Sequence, residues 1–116
     1  MNTSLYVKTI AILVLVDLFW IGTGGIYARS MFERIQGQAL SFRYVSALMV
    51  YVMLAYMLLQ TTSYQQAFLW GCAIYGIYDF TNLAVFEHYD WKFAIADMLW
   101  GGILLSFTRY LIKRVF

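Results

Sequence analysis

A chain of 116 residues that is 63% hydrophobic, 20% aromatic and only 12% charged, with mean hydropathy +0.69, has too few polar groups to cover a water-facing surface. Such a composition fits a molecule whose main solvent is lipid. A formal net charge of +2 without a basic face excludes nucleic-acid binding as the main role, and a single cysteine, Cys72, excludes a disulfide scaffold.

Taken in chain order, apolar stretches occupy roughly residues 5–27, 43–60, 66–86 and 92–112. Each approaches the ~20 residues that cross a ~30 Å hydrocarbon layer as a helix. The runs are continuous, whereas a transmembrane barrel shows alternating segments of about ten residues. The expected fold is therefore all-α, a single domain over residues 1–116 built as an integral membrane bundle of four transmembrane helices. No proline marks the helix ends, so they are read from glycines and polar clusters. The separators are the polar segment Arg29 to Gln38, the turn Gln60 to Gln66, and the corner Glu87-His88-Tyr89-Asp90.

Lys8 ahead of an apolar run has the look of a secretory signal, but the length of the run and the following Arg29 and Arg34 favour an uncleaved first helix. With four spans, Lys8, Arg109, Lys113 and Arg114 share one side and Arg29, Arg34, Arg43 and Lys92 the other. That balance leaves orientation to Lys8 and the Lys113-Arg114 pair, which place both termini in the cytoplasm; dual insertion is the alternative. Tyr6, Tyr44, Tyr64, Tyr89, Trp91 and Tyr110 lie at span ends, where aromatic rings anchor at headgroups. The second run, with Met49, Met53, Met57, Tyr51 and Tyr56 and no charge, reads as lipid contact or the face of a homodimer.

Three of the six acidic residues fall inside the runs: Asp17, Asp79 and Asp97. A carboxylate near the bilayer centre costs about 2.5–3.5 kcal/mol, so these groups must face inward, be paired, or hold protons. Asp17 and Asp97 share a local pattern, Asp17-x-x-Trp20-x-Gly22 and Asp97-x-x-Trp100-x-Gly102. At i and i+3 the carboxylate and the indole lie on one helix face, and the indole N–H can donate into the same polar region. Because the first and fourth runs are antiparallel, the matched pattern forms an inverted repeat, a layout that transporters use to build a site. The third run adds Tyr75, Asp79 and Asn82 on one stripe, with Tyr78 and Thr81 beside it. The same polar groups also suit a purely structural role, as interhelical hydrogen bonds. Gly71, Gly76, Gly101 and Gly102 read as positions of close helix approach.

The segment Tyr78-Asp79-Phe80-Thr81-Asn82-Leu83-Ala84, followed by Trp91 and by Asp97-Met98-Leu99-Trp100-Gly101, resembles the bacterial predicted-membrane-protein family catalogued as domain of unknown function 2177. Asp17, Trp20 and Gly22 fit the same resemblance, which extends over nearly the whole chain. It implies a small four-helix integral protein of a bacterial inner or plasma membrane, with Asp17, Trp20, Asp79, Thr81, Asn82, Asp97, Trp100 and Gly101 as its signature and no reaction attached. The small multidrug resistance family is similar in length, span number and an acid in the first span. This chain departs from it in lacking proline and in carrying two further intramembrane aspartates.

The expected site therefore comprises Asp17, Trp20, Tyr75, Asp79, Thr81, Asn82, Asp97 and Trp100, binding a small solute or proton for transport or sensing. The competing expectations are a structural or accessory protein and, third, a lipid-modifying enzyme or helper acting near Glu87 and His88. No cofactor is expected. No metal site is expected either, since Glu87, His88 and Asp90 lack a clear ligand geometry. No catalytic residue is assigned, because no nucleophile sits beside a base.

Overall fold

Residues 2–115 are described in the computed structural model, and among them the chain forms five α-helices and no strand: α1 (Thr3–Ile21), α2 (Gly24–Gln36), α3 (Tyr44–Gln60), α4 (Tyr64–Val85) and α5 (Trp91–Val115). The second, third and fourth apolar runs each coincide with one helix to within a few residues. The first departs from expectation, because the helix ends at Ile21 and the polar segment read as a separator is itself helical. Thr23 causes the break. Its backbone leaves the helical region at φ −117° and ψ −80°, its N–H donates to the Trp20 carbonyl at 3.2 Å, and its hydroxyl donates to the Phe19 carbonyl at 2.8 Å. Beyond the turn, Ala28, Met31, Phe32 and Ile35 recur at helical spacing and pack inward, while Arg29 and Arg34 stay outside. Gly37 ends α2 with φ +81°, the left-handed conformation that glycine adopts without steric cost.

Local capping sets the other starts. The Asn2 side chain accepts from the Leu5 N–H at 3.1 Å, and Ser63 Oγ accepts from the Gln66 N–H at 3.0 Å. Asp90 Oδ1 accepts from the Lys92 N–H at 2.8 Å at the head of α5.

The long helices pack in the order α3, α1, α5, α4, with the largest contact between α4 and α5; α3 and α4 do not form a packed pair. The main core holds Leu13 of α1, Leu54, Ala55 and Leu58 of α3, Ala67 of α4, and Trp100, Leu104 and Leu105 of α5. A second cluster, Met31, Tyr89, Phe93 and Ala94, fastens α2 to the α4–α5 corner. The α4–α5 contact is made through glycine. A Cβ on Gly71 would lie 2.1 Å from the Gly101 carbonyl oxygen, and one on Gly101 would lie 2.4 Å from the Tyr75 ring.

Two helices, α1 and α5, are long and apolar enough to cross a membrane, and α3 is a shorter apolar helix. Large apolar side chains cover the outside, with Tyr44, Val45 and Ile77 exposed by 79%, 77% and 71%. A patch of that extent is unusual for a surface in water.

The glycine contacts predict an ordered mutational series. Gly71→Ala and Gly101→Ala drive a methyl group into backbone and ring, and each should destabilise the protein by about 1–3 kcal/mol or more. Gly76→Ala should cost clearly less, since its Cβ would meet the flexible Met98 side chain at 3.2 Å, which can shift, and the Phe80 ring only at 4.0 Å. Thermal unfolding of the purified variants in detergent checks the order.

Candidate functional site

The two Asp-x-x-Trp segments meet face to face. With α1 and α5 antiparallel, the i, i+3 pair on one helix opposes the reversed pair on the other. Trp100 Nε1 donates to Asp17 Oδ1 at 2.8 Å, and Trp20 Nε1 donates to Asp97 Oδ1 at 2.8 Å. Each carboxylate is thus held by the indole of the opposite helix. The two indoles stack with centroids 5.6 Å apart and planes at 14°, and Phe93 and Phe19 extend the stack on either side. The glycines that complete the repeat serve different ends. Gly22 caps α1, whereas Gly102 lies against Cys72 and Phe68 of α4.

Asp17 is fully engaged, because its Oδ2 accepts from the Tyr51 hydroxyl of α3 at 2.6 Å. Asp79 differs. It is completely buried, its Oδ1 accepts from the Tyr89 hydroxyl at 2.6 Å, and its Oδ2 is buried with no donor. Asp97 lies within hydrogen-bonding reach of Asp79. Two carboxylates so placed cannot both carry full charge at low cost, and a proton held between them would supply the missing donor. Asn82, one turn along α4, has its Nδ2 buried without an acceptor.

Tyr75 lies over Gly101, within electrostatic reach of all three aspartates. Thr81 sits two residues beyond Asp79 and is exposed on the other side of α4, so the structure brings together seven of the eight expected residues and leaves Thr81 outside. A cavity of about 320 Å³ opens between α3 and α4, lined by Val50, Leu54, Ile74, Tyr75, Tyr78 and Asp97. Asp97 is its one charged wall.

Residues 2–111 match the family model described as "Predicted membrane protein (DUF2177)". The chain belongs to that family. The matched DUF2177 region contains the crossed pairs, Asp79 and Asn82, and it extends over all of α1 to α4 and most of α5. No curated protein and no solved structure matches the chain.

Three tyrosines of this DUF2177 protein take roles that sequence reasoning missed. Tyr51, read as lipid or subunit contact, is half-buried on Asp17. Tyr89, read as a headgroup anchor, is buried on Asp79, and the Tyr6 hydroxyl donates to the Val52 carbonyl at 2.5 Å. The signal available for Tyr51 was its place in a run that has few polar groups to offer a buried acid. Tyr89 has no comparable signal, since its reach back to Asp79 depends on the angle at which the loop enters α5.

Outside the helices, Glu87 and His88 are exposed, and no group of His, Cys, Asp and Glu among the described residues converges as a metal site. Asp90 instead binds α2. It accepts from the Tyr27 hydroxyl and from the Lys92 N–H, and its own N–H donates to Met31 Sδ at 3.3 Å. The Tyr27 bond, more than the Lys92 amide, holds the Asp90 carboxyl below the usual range and pushes the Tyr27 hydroxyl up.

Two predictions follow from this geometry. Trp100→Phe preserves the ring stack but leaves Asp17 Oδ1 buried without its donor, and should cost about 1–3 kcal/mol in thermal unfolding. The Asp90 carboxyl, depressed in the folded state, contributes stability that is complete above the ordinary carboxylate pKa and lost as pH falls through its lower folded value. Docking of α2, followed by hydrogen exchange of its amides, should therefore stay constant from pH 8 to 5 and weaken only below about pH 4. Tyr27→Phe should move that onset upward.

Proposed function

We propose that this protein is a four-span integral membrane protein in which the Asp79–Asp97 pair binds and releases a proton coupled to movement of a small solute. In this reading α1, α3, α4 and α5 cross the bilayer and α2 lies at one face. The longest dimension of the molecule, 43 Å, supports it, since a bilayer with its headgroup layers is about 40–45 Å thick. The exposed apolar sides of all four helices support it as well. Asp79 and Asn82 interrupt the apolar run of α4, and both are withdrawn from the surface, Asp79 fully and Asn82 in part. Both termini are assigned to the cytoplasmic side of an inner or plasma membrane, where Lys8, Lys113 and Arg114 collect.

The observation that carries the proposal is the buried, donor-less Oδ2 of Asp79 beside Asp97. A carboxylate pair that needs one proton for hydrogen bonding is a proton-binding site, and intramembrane acids of this kind recur in proton relays. Asp97 also faces the cavity between α3 and α4. Its walls are aliphatic and aromatic with one carboxyl, which suits a small apolar solute that carries a positive charge or a hydrogen-bond donor. Occupation of Asp97 by such a solute would favour the ionised pair, linking proton release to solute entry.

The structural reading is favoured at one position. Asp17 has both oxygens satisfied by Trp100 and Tyr51, faces no unsatisfied partner, and is assigned to holding α1, α3 and α5 together.

Vesicles containing the purified protein and an internal pH dye test the division. Under an imposed pH gradient, with tetraphenylphosphonium as a small hydrophobic cation, the wild-type protein should dissipate the gradient faster than empty vesicles. Asp79→Asn and Asp97→Asn should fall to the rate of empty vesicles while remaining folded. Folded variants with wild-type rates would contradict the proposal.

A further inference from the structure

The end of the molecule that holds both termini and the α3–α4 turn carries a second feature, which the acid pair does not use. Arg109 of α5 reaches the turn, where its Nη1 donates to the Thr61 carbonyl at 2.7 Å and to Thr61 Oγ1 at 3.2 Å. The guanidinium lies 5.7 Å over the Tyr64 ring, and its Nε is buried without an acceptor. Lys113 follows one turn later on the same face of α5. The two cations, with Leu5, Leu58, Leu59 and Ile112, line an open cavity of about 540 Å³ between α1, α3 and α5.

No aspartate or glutamate among the described residues of this end balances these charges. Residues 1–16, 43–78 and 98–116 contain neither Asp nor Glu, and the ion pair found among the described residues, Arg29 with Glu33, belongs to the opposite end. A cavity with a pre-positioned guanidinium, an ammonium and no carboxylate selects an anion, and arginine favours phosphate geometry in particular. The rest of the lining decides which phosphate. Four of the six lining residues are aliphatic, and a free inorganic ion gains nothing from them. An amphiphile gains from both halves of the cavity.

We propose that this cavity binds the phosphodiester of an anionic phospholipid, with Arg109 and Lys113 on the phosphate and Leu5, Leu58, Leu59 and Ile112 against the first segments of the acyl chains. Arg109 is tied to Thr61, so the lipid would brace the α3–α4 turn against α5. The site is separate from the acid pair, and Asp79→Asn should leave it intact.

The test uses the purified protein in an uncharged detergent, titrated with short-chain phosphatidylglycerol, short-chain phosphatidylcholine, or inorganic phosphate, and read by thermal shift and native mass spectrometry. Phosphatidylglycerol should raise the unfolding temperature and remain bound, while the other two should not. Lys113→Gln, which changes an exposed side chain, should leave the unliganded protein unchanged and weaken phosphatidylglycerol about fivefold. Arg29→Gln at the opposite end should not weaken it. Equal binding of the two lipids, equal protection by inorganic phosphate, or equal losses in Lys113→Gln and Arg29→Gln would each overturn the proposal.

Discussion

A carboxylate in a low-dielectric interior must find donors, and the crossed bonds between Asp17 and Trp100 and between Trp20 and Asp97 are where this chain finds them. Neither helix is complete alone. Each brings one acid and one indole on a single face, and either helix alone would leave its acid in apolar surroundings without a donor. Antiparallel pairing in one register satisfies both acids at once, and a shift of one turn satisfies neither. The crossed pair thereby sets orientation, register and closeness for α1 and α5 together, and the stack of Trp20 on Trp100 fills the space between the two bonds.

The other helices are placed by reference to that pair. Tyr51 brings α3 onto Asp17, and the close glycine contact seats α4 on α5 at the height where Asp79 meets Asp97. Since α3 belongs to α1 and α4 to α5, the outer two helices leave a cleft, and that cleft ends at Asp97. The geometry assigns unequal work to three similar residues. Asp17 is saturated and holds the helices, while Asp97 is shared between Trp20, Asp79 and the cleft. Asp79 keeps one buried oxygen without a donor.

Much of this was legible in the sequence. Apolar length located α3, α4 and α5, and the cost of burying charge singled out the three aspartates. The repeated Asp-x-x-Trp spacing signalled a shared arrangement between the first and last helices. Spacing on one helix says which residues share a face and is silent about partners on another, so the exchange of indoles between helices was not readable. Thr81 illustrates a related limit, since its membership of a motif put it beside Asp79 in sequence while the 100° step per residue turned it to the outside. The helix beyond Thr23 was hidden by its polar face, which made Arg29 to Gln38 read as a separator. Tyr89 was hidden by its loop position, because only the fold of the α4–α5 corner turns it back to Asp79.

The central claim is that each aspartate is held by the tryptophan of the opposite helix. The direct measurement is the indole N–H resonance of each tryptophan by nitrogen-15 NMR of the protein in micelles, recorded with Asp17→Asn and Asp97→Asn. The account predicts a crosswise response, with Asp17→Asn moving the Trp100 resonance and Asp97→Asn moving that of Trp20. A response within the same helix, Asp17→Asn moving Trp20 and Asp97→Asn moving Trp100, would contradict it.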